Sequence, residues 1–355
     1  MVRRQLIRPW GAVVGSLLAW SRWLPHSRRF ATLSTTQLVQ SPTAHVHSIP
    51  PTRRVAITAC THGNELTGAW VASRLQKHPS LAKRDGLEVE TMIANPKAYK
   101  QIRRFVDADL NRQFSADDLS DFASEEYESA RAKALNSVLG PKSDPEKAAD
   151  FVLDLHTTTS NFGVAFICEE WSPLGIAAAA WCSKELASRR HETDMPEVRV
   201  VYEPLGKQEC PHLISIGSEG LMIEIGPVPQ GVLQPAPCEW MEDAVATVLD
   251  FLEACNTGTV NIPEETLAYR DAGIKIPLPQ DDAQRPTALF HRRLQGKDFQ
   301  PLRKGEPVFL GVDGEDILYD GQYGDTIWPM FVNEAAYYFP ESGLGFGVAS
   351  EHMLQ

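Results

Sequence analysis

From Arg53 to Cys60 the run RRVAITAC is apolar and β-branched, the polar THGNE interrupts it, and LTGAWVASRLQKH then spaces apolar residues as a helix does. That pattern predicts strand, loop and helix. It recurs along the chain. Leu87 to Ile93, Asp150 to His156 (DFVLDLH), Val198 to Glu203 and Leu221 to Gly226 (LMIEIG) read as strands, and Pro173 to Arg190 and Glu239 to Ala254 as helices. Strands alternating with helices imply the α/β class, with a largely parallel sheet covered on both faces. After about Asn256 the texture changes. NTGTVNIPEE reads as a linker, and the short runs TLAYR, TALFHRRL, PVFLGV, DILYD, TIWPMFVNE and AAYYF, divided by Gly, Pro and Asp, predict a smaller C-terminal antiparallel β domain. There is no internal repeat, and the acidic stretch DDLSDFASEEYE from Asp117 to Glu128 reads as a solvated helix face or loop.

Charge separates the N-terminus from the rest. The first fifty residues hold six arginines and no Asp or Glu, with Ser and Thr clustered from Ser34 to Thr43. That is the composition of an organellar transit peptide, mitochondrial or plastid, with a secretory signal, a membrane anchor or a leader without an address as alternatives and a cytoplasmic location if it is not read. The apolar stretch Trp10 to Trp20 is too short to span a bilayer, which needs about 20 residues. Of the 34 Lys and Arg, 28 lie beyond the leader and face 46 Asp and Glu, so the body carries −18. Such a charge argues against nucleic acid or an anionic membrane as partners, and no stable membrane insertion is expected. The six cysteines are scattered without CxxC spacing, as free thiols in a reducing compartment would be.

Candidate chemistry sits at predicted strand ends, where open α/β sheets build their ligand sites. In CTHGNE, His62 and Glu65 are three residues apart, so both can face one point and grip a divalent ion. Alone, HxxE would as readily be a loop His beside a helix-capping Glu. DFVLDLHTTTS ends an apolar strand in His156, a natural third ligand, and two nitrogens with one carboxylate are a recognised catalytic zinc set. Asp154, two residues earlier, shares the strand face and can accept the other imidazole N–H. In MIEIGPVPQG, Glu224 stands inside an apolar strand. A buried carboxylate needs a cation, a metal or a reacting proton beside it, and a general base or a salt bridge would each answer. RRFVDADLNRQF gathers Arg104, Asp109, Asn111 and Arg112, suited to polarising a carbonyl or clamping a carboxylate.

Together CTHGNELTG, NPKA, DADLNRQF, DLHTTTSN, EIGPVPQG and VNEAAYY, in this order between Arg53 and Phe339, resemble the aspartoacylase and succinylglutamate desuccinylase family of carboxypeptidase-like zinc hydrolases. The resemblance implies a mixed, largely parallel sheet sandwiched by helices over residues 51–256, and a β domain over 257–355 that covers the active site. It makes His62, Glu65 and His156 the ligands of one Zn2+, Glu224 the general base and acid, and Arg104 the group that polarises the amide carbonyl. Asn111 and Arg112 would bind a substrate carboxylate, and Tyr337 would reach in from the β domain. The implied partner is a small N-acyl amino acid, with a homodimer as an open option. The implied reaction releases acetate and a free amino acid such as L-aspartate. Aminoacylase action on N-acetyl-aromatic or cysteine-conjugate amino acids, a metallocarboxypeptidase and a non-catalytic zinc scaffold are the alternatives. One departure bears on specificity. Where the family's aspartoacylases carry a Tyr and an Arg before the catalytic Glu, ECPHLISIGSEG has Cys210 and Ile214, and its neighbourhood offers only Lys207 and His212 as basic side chains.

Overall fold

The computed structural model describes residues 51–190, 194–338 and 344–355. The arginine-rich leader, with its transit-peptide reading, lies outside the described residues. In order the described chain forms β1 (Arg54–Ala59), α1 (Leu66–Lys77), β2 (Glu88–Ile93), α2 (Pro96–Gln101), α3 (Ala116–Ser120), α4 (Tyr127–Leu139), β3 (Phe151–Thr157), β4 (Gly163–Glu169), α5 (Pro173–Arg189), β5 (Val198–Glu203), β6 (Glu219–Gly226), α6 (Pro235–Thr257), β7 (Thr266–Pro277), β8 (Ala288–Phe290), β9 (Leu302–Arg303), β10 (Pro307–Gly311), β11 (Asp316–Leu318), β12 (Thr326–Met330) and β13 (Leu344–Leu354).

The sheet is mixed, as the family resemblance implies. β2, β1, β3 and β6 lie side by side in parallel; β4 runs antiparallel to β6, and β5 and β7 continue parallel to β4. β13, β12 and β9 extend the same sheet antiparallel, while β8, β10 and β11 make a small antiparallel sheet of their own. The C-terminal strands therefore grow from the edge of β5 through Val201 and Tyr202 against Tyr269 and Arg270.

Alternation along the strands divides the core. Val55, Ile57 and Ala59 of β1, with Leu153 and Leu155 of β3, pack against Val71 of α1, Ala178 of α5 and Val248 of α6. The residues between them, Ala56 and Val152, face Leu135 of α4 and Leu213 and Ile216 in the 3-10 turn before β6. By the same period of two, Asp154 and His156 point to this second face. Burying a Val, Leu or Ile side chain stabilises by roughly 1.5–3 kcal/mol. Phe151, Val152, Leu153 and Leu155 thus hold β3 inside the sheet, all seven of its residues buried, in spite of its Asp and His.

Three local readings differ from expectation. AAYY does not pair as a strand; Ala335–Tyr338 is a 3-10 turn, the Ala335 and Ala336 amides taken by Thr159 and Glu334 instead of by a neighbouring edge. β4 is a buried strand that the sequence pattern was not read to predict. The acidic stretch is solvated only in part, because Glu128 at the start of α4 is fully buried. Its two carboxylate oxygens accept the N–H groups of Val106, Asp107 and Ala108 at 2.7–3.1 Å, together with Asn95 Nδ2 at 3.1 Å. Among the described residues, no helix is long and apolar enough to cross a membrane.

Candidate active site

The site forms where β1 and β3 end. Cys60 adopts a left-handed backbone, φ +53°, that turns the chain out of β1. Gly63 then passes so close to α2 that a Cβ there would lie 2.2 Å from the backbone carbon of Ala98, so this position accepts only glycine. The loop delivers His62 and Glu65, and β3 delivers His156. Although Glu65 precedes α1, its side chain makes no capping hydrogen bond. It is buried, and its oxygens meet His62 Nδ1 at 2.6 Å, His156 Nδ1 at 3.2 Å and the Thr157 N–H at 2.9 Å. That geometry decides against a solvated, capping Glu.

The two imidazoles turn their Nδ1 atoms toward each other at 3.3 Å. Each holds a carboxylate on the far side: His156 Nε2 lies 2.6 Å from Asp154 Oδ2, and His62 Nε2 lies 3.1 Å from Asp109 Oδ1. Asp154 is itself fixed by the hydroxyls of Thr58 and Thr61, at 2.6 and 2.8 Å. The ligand atoms of His62, Glu65 and His156 all fall within 4.8 Å of one another. Two nitrogens and one carboxylate oxygen, each held from behind, fit a divalent ion of the zinc class. The electrostatics agree. Burial acts to raise the Glu65 carboxyl, but His62 and His156 hold it well below the usual carboxylate range. Burial acts to lower His156, yet Asp154 and Glu65 drive it well above the usual imidazole range. A divalent ion bound there would compete with a proton for the same ligand atoms.

β6 places Glu224 beside this group, as His156 and Glu224 are register partners on β3 and β6. Glu224 is buried, and burial together with the Glu65 charge pushes its carboxyl well above the usual range, against the pull of His156 and Arg104. Arg104 is gripped by Asp109, Nε and Nη2 meeting Oδ2 at 3.1 and 2.9 Å, and its Nη1 lies 3.6 Å from Glu65 Oε1. It is no surface loop residue.

Asn111 is buried, and its Oδ1 accepts the Leu213 N–H at 2.8 Å, while Arg112 is exposed and donates from Nη1 to the Asn111 carbonyl at 2.7 Å. Tyr337 comes from the C-terminal 3-10 turn. Its hydroxyl is pushed up by burial and feels Lys275, Glu334, Arg112 and Arg104.

Two further residues join the site that sequence reasoning did not single out. Glu334, within the VNEAAYY motif, is buried and accepts the Thr158 hydroxyl, the Thr159 N–H at 2.8 Å, the Thr159 hydroxyl at 3.0 Å and the Ala336 N–H at 3.1 Å. It ties the turn carrying Tyr337 to the loop after β3. Glu334→Ala leaves these donors buried without an acceptor and should lower stability by about 3 kcal/mol, since each such loss costs roughly 1–3 kcal/mol. A urea titration would read this, and an unchanged midpoint would remove Glu334 from that role. Lys275 on β7 faces Tyr337 and Arg112 electrostatically. A lysine alternating with isoleucines in GIKIP is the signal that could have found it.

The two basic side chains close to Cys210 in sequence are spent elsewhere. Lys207 Nζ donates to the carbonyls of Gly217 and Ser218 at 2.6 and 3.0 Å, and His212 Nδ1 lies 2.6 Å from Glu169 Oε1.

Residues 51–252 match the model of the succinylglutamate desuccinylase/aspartoacylase catalytic domain, and residues 271–346 that of the AstE/AspA barrel-sandwich hybrid domain. The chain belongs to the succinylglutamate desuccinylase/aspartoacylase family. Within it, human N-acyl-aromatic-L-amino acid amidohydrolase (carboxylate-forming) is 40% identical over 301 residues, covering 83% of this chain and 90% of the human protein. A probable aspartoacylase of Trichodesmium erythraeum is 35% identical over 304 residues, covering 85% of this chain and 98% of its own length. The crystal structure of murine aminoacylase 3 superposes with a TM-score of 0.77 at 36% identity, covering 86% of this chain and 97% of the murine one.

Proposed function

We propose that this family member hydrolyses the amide bond of small N-acyl amino acids, holding a zinc ion between His62, Glu65 and His156. The observation that carries the reading is the convergence of those three ligand atoms beside a buried carboxylate, Glu224, that is not one of them. Zinc held there would supply Lewis acidity and lower the pKa of water from 15.7 towards about 7. Glu224 takes a proton from the attacking water as its oxygen bonds to the carbonyl carbon. The same proton passes to the nitrogen as the C–N bond breaks, giving a carboxylic acid and a free amine; the acid's remaining proton then moves to the amine, and the products leave as carboxylate and ammonium. Arg104, held flat by Asp109, is the donor for charge gathering on the carbonyl oxygen, and one such donor is worth roughly 3–4 kcal/mol. Asn111 and Arg112, with Lys275 beside Tyr337, would hold the substrate α-carboxylate.

Two supports favour an aromatic or other neutral amino-acid side chain over aspartate. Ile214 and Cys210 are fully buried, and Lys207 and His212 are committed to other partners, so that stretch presents no cation to a second carboxylate. The human relative at 40% identity is, by its name, an amidohydrolase of N-acyl-aromatic amino acids. The test is a panel of N-acetyl-phenylalanine, an N-acetyl-cysteine conjugate, N-acetyl-aspartate and N-succinyl-glutamate on zinc-loaded protein. N-acetyl-phenylalanine should exceed N-acetyl-aspartate at least tenfold in kcat/KM. The reverse order would restore the aspartate reading, and no hydrolysis of any would restore the scaffold.

A further inference from the structure

A second set of donors converges away from the catalytic group. Glu169 ends β4, Glu203 ends β5, and Cys210 and His212 flank Pro211 in the loop that follows. Ligand atoms of Glu169, Cys210 and His212 lie within 4.8 Å of one another, and all three residues are buried. His212 Nδ1 is 2.6 Å from Glu169 Oε1 and 3.4 Å from Glu203 Oε2. The spacing repeats that of the catalytic group, where His62 Nδ1 is 2.6 Å from Glu65 Oε1 and 3.3 Å from His156 Nδ1. Trp171 Nε1 donates to the other oxygen of Glu169 and so turns Oε1 into the group. Oε2 of Glu203 is buried and makes no hydrogen bond, its one ion-pair contact among the described residues being the His212 ring at 3.4 Å, so it keeps a lone pair free for a further cation.

We infer that Glu169, Glu203, Cys210 and His212 form a second divalent-metal site, suited to zinc or a similar thiophilic ion. Thiolate, imidazole and carboxylate from Cys210, His212 and Glu169 converge already; with Glu203, 3.4 Å from the imidazole, drawn in as the fourth donor, the set would be closed, as a structural ion requires. The charges close as well. Three anionic donors carry −3, a divalent ion returns +2, and Lys142, whose Nζ donates to the Cys210 carbonyl at 2.8 Å and Ser215 Oγ at 2.9 Å, adds +1. The ion would clamp the loop after β5 onto the ends of β4 and β5. That loop leads straight into Leu213, whose N–H positions the Asn111 side chain, so the site would brace the substrate pocket without touching the reaction.

The experiment counts metal per chain by plasma mass spectrometry on the full-length protein, and reads cobalt-substituted protein by absorption. His62, Glu65 and His156 include no sulfur, so a thiolate-to-cobalt charge-transfer band reports the second site alone. Wild type should hold two ions and show the band. Cys210→Ser and, separately, His212→Gln should each drop to one ion. Cys210→Ser should also lose the band, while Cys60→Ser, whose thiol lies beside Glu65, should keep it. One ion in wild type with no band overturns the inference whatever the variants do, and so does a band that survives Cys210→Ser. The two sites separate through His62→Ala. One ion in wild type that persists in His62→Ala, with the band, would uphold the second site and sink the catalytic one; one ion that vanishes in His62→Ala would do the opposite.

Discussion

Glu224→Ala should lower turnover by on the order of 10²–10⁴-fold, the worth of a positioned general acid–base, and should leave the metal content of the His62, Glu65 and His156 group unchanged. The split follows from the geometry. Glu224 is the register partner of His156 across β3 and β6, yet the three converging ligand atoms belong to His62, Glu65 and His156. Removing it takes away the proton acceptor and none of those ligands. Burial and the Glu65 charge raise its carboxyl above the usual carboxylate range. Glu224→Gln, which keeps the volume, should lose activity equally. Steady-state kinetics beside metal analysis checks both halves. An active Glu224→Ala enzyme would end the proposed role, and an inactive one that had also lost its metal would make Glu224 a ligand instead.

Stripping the protein with a chelator should abolish hydrolysis, and added zinc should restore it. Asp154→Asn should weaken metal binding 10- to 100-fold, the usual consequence of removing the carboxylate behind a ligating imidazole. Asp154 is fully buried, accepts from His156 Nε2 at 2.6 Å, and is held by Thr58 and Thr61. An asparagine keeps the shape but must direct its NH₂ either at the imidazole N–H or at a threonine hydroxyl. The first choice opposes two donors and disturbs the tautomer that presents Nδ1 to the metal. A competition titration with a zinc-binding dye gives the affinity. Because the three ligands remain, activity should return at saturating zinc; an Asp154→Asn protein with unchanged zinc affinity would reduce Asp154 to an ordinary buried carboxylate.

Much of the catalytic group was legible in the chain because its chemistry constrains residue type at short spacing. HxxE after a strand and LDLH at the end of another are unusual in apolar surroundings, and the cost of burying Glu224 marks it by itself. The strands around them were legible for a similar reason, since an apolar run of six or seven residues has few other places to go. Other features depend on partners far away in sequence. Glu128 reads as one more acid in an acidic stretch until the loop of Val106 to Ala108 folds onto it. AAYY has the composition of a strand and becomes a turn because Glu334 and Thr159 take its amides.

The sequence by itself determined the α/β alternation, the family, the three candidate ligands and the buried Glu224, because each is written in local pattern or in a residue type that its surroundings would otherwise penalise. The tertiary structure decided that β4 runs against β6 and that the C-terminal strands grow from β5. It also set Lys275 and Glu334 around Tyr337 and drew Glu169, Cys210 and His212 to one point, with Glu203 against the same imidazole. Those outcomes come from strand pairing and loop closure over tens to hundreds of residues. No periodicity or spacing within a segment encodes which distant donor will arrive beside it.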